Sequence, residues 1–191
     1  MNKHLKHVPN VLSGLRFIAA PMTAALLLYD QYAAALAIFA FAGISDLLDG
    51  YLAKRHGYTS RFGRYLDPAA DKALMFACFV VLAIQHIVPL WLAGVVIGRD
   101  ALMILAIVVA RLAGAPLTLA PLQIGKLTTV VQVVFIALQL AALAFAVDLG
   151  DALRWAGFVV AIVTVASAWV YGALWLRAMQ RTKGRARAKG A

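Results

Sequence analysis

Long apolar stretches constrain this chain more than anything else in it. Segments able to cross about 30 Å of hydrocarbon, roughly 20 helical residues each, can be laid down six times with little left over. Hydrophobic residues make up 64% of the 191 and charged residues only 14%, well outside the composition of soluble domains. The expected fold is an all-α integral membrane protein with six transmembrane helices. It has one membrane domain over residues 1–180, a basic tail over 181–191 and no soluble domain. The single cysteine, Cys78, rules out an internal disulfide framework and reads as a small core residue.

Formal charge is +10, and in a membrane protein the position of the cations says more than their sum. They gather at the start (Lys3, Lys6), between the second and third apolar stretches (Lys54, Arg55, Arg61, Arg64), after the fourth (Arg111) and at the end (Arg177 to Lys189). The other connections carry only Arg154. By the positive-inside rule both termini face the cytoplasm, as an even number of spans requires, in an inner or cytoplasmic membrane. Residues 1–10 are too polar for a signal peptide, so no cleaved leader is expected.

The expected helices run over residues 11–29, 32–55, from between 62 and 67 to 86, 89–112, 124–147 and 152–179. Asn10 is the candidate cap of the first, and the basic tail after the last is expected to be disordered. Arg16 either snorkels to the interface or faces the bundle and meets a phosphate. Arg99 and Asp100, in the middle of apolar sequence, either neutralise one another or reach toward a polar cavity. Gly114, Pro116 and Pro121 break the chain before a fifth helix that opens with Lys126, Thr128, Thr129 and Gln132.

Four of the eight acidic residues, in a chain without glutamate, fall between residues 45 and 72. They form two pairs, Asp46 with Asp49 and Asp67 with Asp71. At helical spacings of three and four, each pair shares one face of its helix. Carboxylates where apolar helices meet water are costly unless they serve a site, and four converging charges need counterions. All-oxygen ligation suits two Mg²⁺ or Mn²⁺ ions and argues against zinc. Paired divalent cations form a clamp for phosphoryl displacement. Gly50 and Gly63 clear space for a pyrophosphate to approach backbone, and Ala53 keeps the same face small. Pro68 suits the first turn of a helix, which would put Asp67 near an anion-favouring N-terminus.

Asp46, Asp49, Gly50, Ala53, Lys54, Gly63, Asp67 and Asp71 stand at the spacing of the CDP-alcohol phosphatidyltransferase signature, and the chain resembles that family. Lys54 is the one departure: the family usually has arginine there. Lysine keeps the charge but not the planar fork, and Arg55 beside it is the candidate substitute for the phosphate contact. The resemblance implies the family's six-helix fold, a homodimer, and two Mg²⁺ or Mn²⁺ ions held by the four aspartates on the pyrophosphate of CDP-diacylglycerol. Asp71 would then be the general base toward the acceptor hydroxyl. Pro9 to Ser13 with Arg16, and Lys126 to Thr129 with Gln132, resemble the glycerophospholipid branch. Ala42 to Tyr51 and Gly98 to Met103 are more similar to the CMP-forming cardiolipin synthases, which favours phosphatidylglycerol as acceptor ahead of glycerol 3-phosphate. Arg16, Arg64, Arg99, Arg111 and Lys126 are the candidate cations for the acceptor's phosphate. No nucleic acid is expected as a partner. The competing class is an ion-coupled transporter, but that predicts charge at the bilayer midplane, whereas these aspartates cluster at helix ends.

Overall fold

Among the described residues of a computed structural model there are six helices: α1 Val8–Leu28, α2 Tyr32–His56, α3 Gly63–Ile84, α4 Leu90–Leu112, α5 Gln123–Ala144 and α6 Gly150–Lys189. The structure describes residues 8–56, 63–112 and 123–189, with side chains over 18–46, 72–110, 112 and 123–180. The expected turn at Gly114, Pro116 and Pro121 lies outside the described residues. The all-α expectation holds, because an apolar run in hydrocarbon satisfies its backbone groups only by closing them within a helix. Among the described residues, Leu90–Ala110, Gln123–Ala144 and Gly150–Gln180 are long and apolar enough to cross a membrane. The described apolar parts of the first three helices, Ile18–Leu28, Tyr32–Asp46 and Lys72–Ile84, are shorter.

Four expected details are corrected. Helix α1 starts at Val8, so Asn10 lies inside it rather than capping it. Pro9 is tolerated in the first turn, where its missing N–H has no partner to lose. Helix α3 starts at Gly63, within the expected range of 62 to 67, but a start so early puts Pro68 in the second turn and Asp67 away from the helix N-terminus. Helix α5 ends at Ala144 rather than at 147. Helix α6 continues through the basic tail to Lys189, where good helix formers, Ala, Arg and Lys, outnumber Thr182 and Gly184.

The early end of α5 shows how three of the helices stop. Asp30, His86 and Ala146 adopt left-handed φ angles of 57°, 58° and 52°. After each, a pair of backbone bonds folds back onto the last turn: Gln31 N–H to Leu26 O at 2.8 Å, Ile87 N–H to Leu82 O at 2.9 Å and Val147 N–H to Ala142 O at 2.9 Å, each with an inner bond from the left-handed residue itself. This is the Schellman arrangement, here made without glycine.

The chain forms two compact units, one from residues 1–90 and 136–150, the other from 91–135 and 151–191. In the first, α1 packs against both α2 and α3. Leu27, Ala35, Phe39, Ala42, Leu74, Cys78, Phe79 and Leu82 are buried there, and the alanines let backbones approach closely, as helix pairing in lipid requires. The α1/α2 and α3/α4 turns are tied together: Gln85 Nε2 donates to Leu27 O at 2.7 Å and to Asp30 Oδ1 at 3.2 Å. Tyr32 Oη donates to the same Asp30 oxygen at 2.6 Å.

In the second unit, Leu92, Phe135 and Gly157 meet closely, and Trp91 stacks on Phe158 with centroids 5.6 Å apart. Ile104, Leu105, Leu127, Val130, Ile162 and Val165 point outward. Apolar residues outside and polar residues inside fit a bundle whose solvent is lipid.

Candidate functional site

The aspartate-bearing stretch lies on the first unit. Tyr32 and Ile84, where α2 begins and α3 ends, flank turns tied by the Gln85 bonds. At 1.5 Å per helical residue, Asp46 and Asp49 lie about 21 to 26 Å along α2 from Tyr32. Asp67 and Asp71 lie about 20 to 26 Å back along α3 from Ile84. The backbone register therefore gives the two pairs matching heights on two helices that share α1 as a packing partner. Of the four side chains, that of Asp46 is described: it is half-buried, next to buried Ser45. Those of Asp49, Gly50, Ala53, Lys54, Arg55, Gly63, Arg64, Asp67 and Asp71, and of Arg16 and Arg111, lie outside the described residues. Among the described residues no three potential metal ligands cluster. The donor set along α2 and α3 is all carboxylate, which fits a hard divalent cation.

Most of the described buried polar side chains, Arg99, Thr128, Gln132, Thr164 and Ser167, belong to the second unit. Arg99 on α4 is only 7% exposed, and its Nη1 donates to Asp100 Oδ1 at 2.6 Å. Its Nη2 donates to Ser167 Oγ on α6 at 2.8 Å. The guanidinium stands 5.7 Å from the centroid of the Tyr171 ring, within cation–π range. Its Nε is buried and has no hydrogen-bond partner among the described residues. Of the two expected roles for the Arg99–Asp100 pair, direct neutralisation is therefore what the structure makes.

Two further links lie in the same unit. Gln132 Nε2 on α5 donates to Thr164 Oγ1 on α6 at 3.1 Å, and Trp175 Nε1 donates to Ala106 O on α4 at 3.0 Å. Thr128, also buried, donates back to Ile124 O at 2.7 Å. Lys126 is exposed. The sequence reading singled out Arg99, Thr128 and Gln132 but missed Thr164, Ser167 and Tyr171 on α6. Their spacings of three and four, continuing to Trp175, mark one helical face; that periodicity was the available signal, hidden because Ser and Thr inside an apolar span look neutral.

Gly125 lets α5 approach α6. A Cβ there would stand 2.6 Å from Tyr171 Oη and 3.3 Å from its ring. Gly125→Ala is expected to displace Tyr171 and lower stability by about 1–3 kcal/mol, as overpacking does. The loss should be smaller in a Tyr171→Phe background, which removes the nearest atom. Thermal unfolding of the four proteins in detergent measures this; equal losses in both backgrounds would mean the hydroxyl is not the obstacle.

Comparison with known proteins agrees with the motif. A sequence model of the CDP-alcohol phosphatidyltransferase family matches residues 6–174. Cardiolipin synthase (CMP-forming) of Rattus norvegicus is 34% identical over 93% of this chain and 64% of its own length. A Schizosaccharomyces pombe cardiolipin synthase (CMP-forming)/mitochondrial hydrolase fusion protein is 32% identical over 90% of this chain and 31% of its own length. The CDP-diacylglycerol–glycerol-3-phosphate 3-phosphatidyltransferase of Pseudomonas fluorescens is 45% identical over a shorter region, 49% of this chain and 51% of that protein. The chain thus spans less than two thirds of the length of each of these relatives.

Proposed function

The chain belongs to the CDP-alcohol phosphatidyltransferase family, and from that membership we propose that it is a membrane enzyme of phospholipid synthesis. It transfers the phosphatidyl group of CDP-diacylglycerol to an alcohol and releases CMP. The observation that carries this reading is the family match across residues 6–174, which encloses the aspartate signature on α2 and α3.

In this reading Asp46, Asp49, Asp67 and Asp71 hold the divalent cations on which the family generally depends. Bound there, two Mg²⁺ or Mn²⁺ ions would offset the charge of the pyrophosphate and of the oxygens that attack and leave. Gly50, Ala53 and Gly63 leave room for the nucleotide's phosphates, and Lys54 with Arg55 supplies positive charge to them. Asp71 takes the proton of the acceptor hydroxyl within hydrogen-bond reach. The hydroxyl oxygen then forms a bond to the lipid-bearing phosphorus. The bond from that phosphorus to the bridging oxygen breaks, and CMP departs with the electron pair. Arg16, Arg64, Arg99, Arg111 and Lys126 are the cations available to the acceptor's phosphate. The distribution of basic residues supports a cytoplasmic active site and cytoplasmic termini in an inner or cytoplasmic membrane, and the family resemblance implies a homodimer.

The preferred acceptor is phosphatidylglycerol, giving cardiolipin. Support comes from the extent of similarity to cardiolipin synthases, 93% of this chain in the rat protein. Glycerol 3-phosphate is the second reading, favoured by the higher identity, 45%, over the region shared with the Pseudomonas enzyme. Full-length protein supplied with CDP-diacylglycerol, Mg²⁺ and either alcohol should form cardiolipin from phosphatidylglycerol, identified by mass spectrometry of the lipid product. Formation of phosphatidylglycerophosphate alone would transfer the assignment to the second acceptor. No lipid product and no CMP from either would overturn the transferase reading.

A further inference from the structure

We propose that a groove between α4 and α6 seats one acyl chain of an anionic bilayer phospholipid, taken from the leaflet on the side of Arg111 and Arg177. This lipid is a bound companion of the protein and not a reactant, so the inference holds whatever alcohol the enzyme accepts.

The two helices belong to one unit and are tied at two levels. Arg99 Nη2 of α4 donates to Ser167 Oγ of α6 at 2.8 Å, and Trp175 Nε1 of α6 donates to Ala106 O of α4 at 3.0 Å. Both partners advance in chain order from the first tie to the second, so α4 and α6 run parallel. Beside these ties the lining is thin. Ala106, Ala168 and Gly172 contribute little or no side chain, and an apolar cavity of about 280 Å³ results, walled by Leu102 and Val109 of α4 and by Trp175 of α6. A Cβ built at Gly172 meets no atom of the described residues within 4 Å. Leu102 is exposed, so the cavity opens outward, toward the hydrocarbon around two helices long and apolar enough to cross a membrane.

Size and position select the occupant. Arg99 to Val109 measures about 15 Å along α4, and Ser167 to Arg177 the same along α6. That is half of the roughly 30 Å of hydrocarbon in a bilayer. The groove is therefore one leaflet tall. Arg99, its charge paired with Asp100, closes the deep end, and the Trp175 indole stands near the mouth, at the level where tryptophans gather in membranes. Spread over about 15 Å, a volume of about 280 Å³ has a mean cross-section of about 19 Å². This suits one extended hydrocarbon chain, whereas a helix of a second copy, about 10 Å across, is too thick. Water finds too few polar partners on such walls, and an empty groove forfeits dispersion contacts. Charge selects the headgroup. Arg111 ends α4, while α6 beyond the groove carries Arg177, Arg181, Lys183, Arg185, Arg187 and Lys189, with no acidic residue from 152 to 191. Basic residues just outside a span attract anionic lipids.

Native mass spectrometry of the delipidated full-length chain in detergent tests this, with dioleoylphosphatidylserine or dioleoylphosphatidylcholine added. Phosphatidylserine is neither proposed substrate, and a chelator keeps divalent cations out of the aspartate site. Wild type should retain one phosphatidylserine, preferred over phosphatidylcholine by about tenfold or more, the scale of two basic residues near an anionic headgroup. Gly172→Phe fills the groove without meeting protein atoms and should weaken that binding by about tenfold or more, because the chain loses its packing contacts. Gly94→Phe is the matched control: a Cβ there also meets nothing within 4 Å, but Gly94 lies outside the groove, and its binding should equal that of wild type. Should Gly172→Phe not fold, Val109→Phe narrows the groove from the α4 wall and must show the same loss. A wild-type chain that retains no phosphatidylserine or holds both lipids equally overturns the inference, as does undiminished binding by the groove variant or an equal loss in Gly94→Phe. None of these outcomes bears on phosphatidyl transfer, which the product assay tests separately.

Discussion

Replacing Asp71 with asparagine is expected to lower CMP release from CDP-diacylglycerol by about 10²- to 10⁴-fold, the range contributed by a positioned general base. The amide keeps the shape of the carboxylate but cannot accept a proton at neutral pH, and it removes one of the four negative charges in the signature. A residue that only bound metal would respond to more metal. The account therefore expects saturating Mg²⁺ to leave most of the Asp71→Asn defect in place while it recovers much of the activity of Asp46→Asn. The helical circular dichroism of each variant should match wild type, because all four positions lie on helices whose packing partner is α1. Turnover by Asp71→Asn within about tenfold of wild type would remove Asp71 from the role of base.

Much of this protein was readable before its coordinates, and the reason is physical. Apolar runs of membrane-spanning length permit little besides helices, so the number and order of the six followed directly. The aspartate pairs were equally legible, since charge next to hydrocarbon is rarely placed without a use. Helix ends were less so. Ala146 occupies a left-handed cap with φ 52°, where glycine or asparagine is the usual marker, and an alanine in a run of apolar residues gives no warning. The tail misled in the opposite sense: its charges suggested disorder, while its residue types favour continuation of α6 to Lys189. Asn10 was an available cap that the chain does not use, because the helix already begins at Val8. Arg99 and Asp100 were open to two readings, and only the distance of 2.6 Å decides that they pair. Ser167 and Tyr171 could not be matched to Arg99 by sequence alone, because they lie on another helix.

Removal of divalent cations is the second large effect. Full-length protein in excess chelator should lose CMP release altogether, and readdition of Mg²⁺ or Mn²⁺ should restore it. The cause lies in the carboxylates themselves. In the proposed site four like charges would repel one another by several kcal/mol at a reduced effective dielectric, and they could not approach an anionic pyrophosphate without counterions. Zn²⁺ should substitute poorly, since neither aspartate pair includes a cysteine or histidine. The most direct measurement counts the ions: electron paramagnetic resonance of the purified chain titrated with Mn²⁺ in the presence of CDP-diacylglycerol. The account predicts about two tightly bound Mn²⁺ per chain, with both lost from an Asp46→Asn, Asp67→Asn double variant. A wild-type chain that binds none, or a double variant that still binds two, would contradict it.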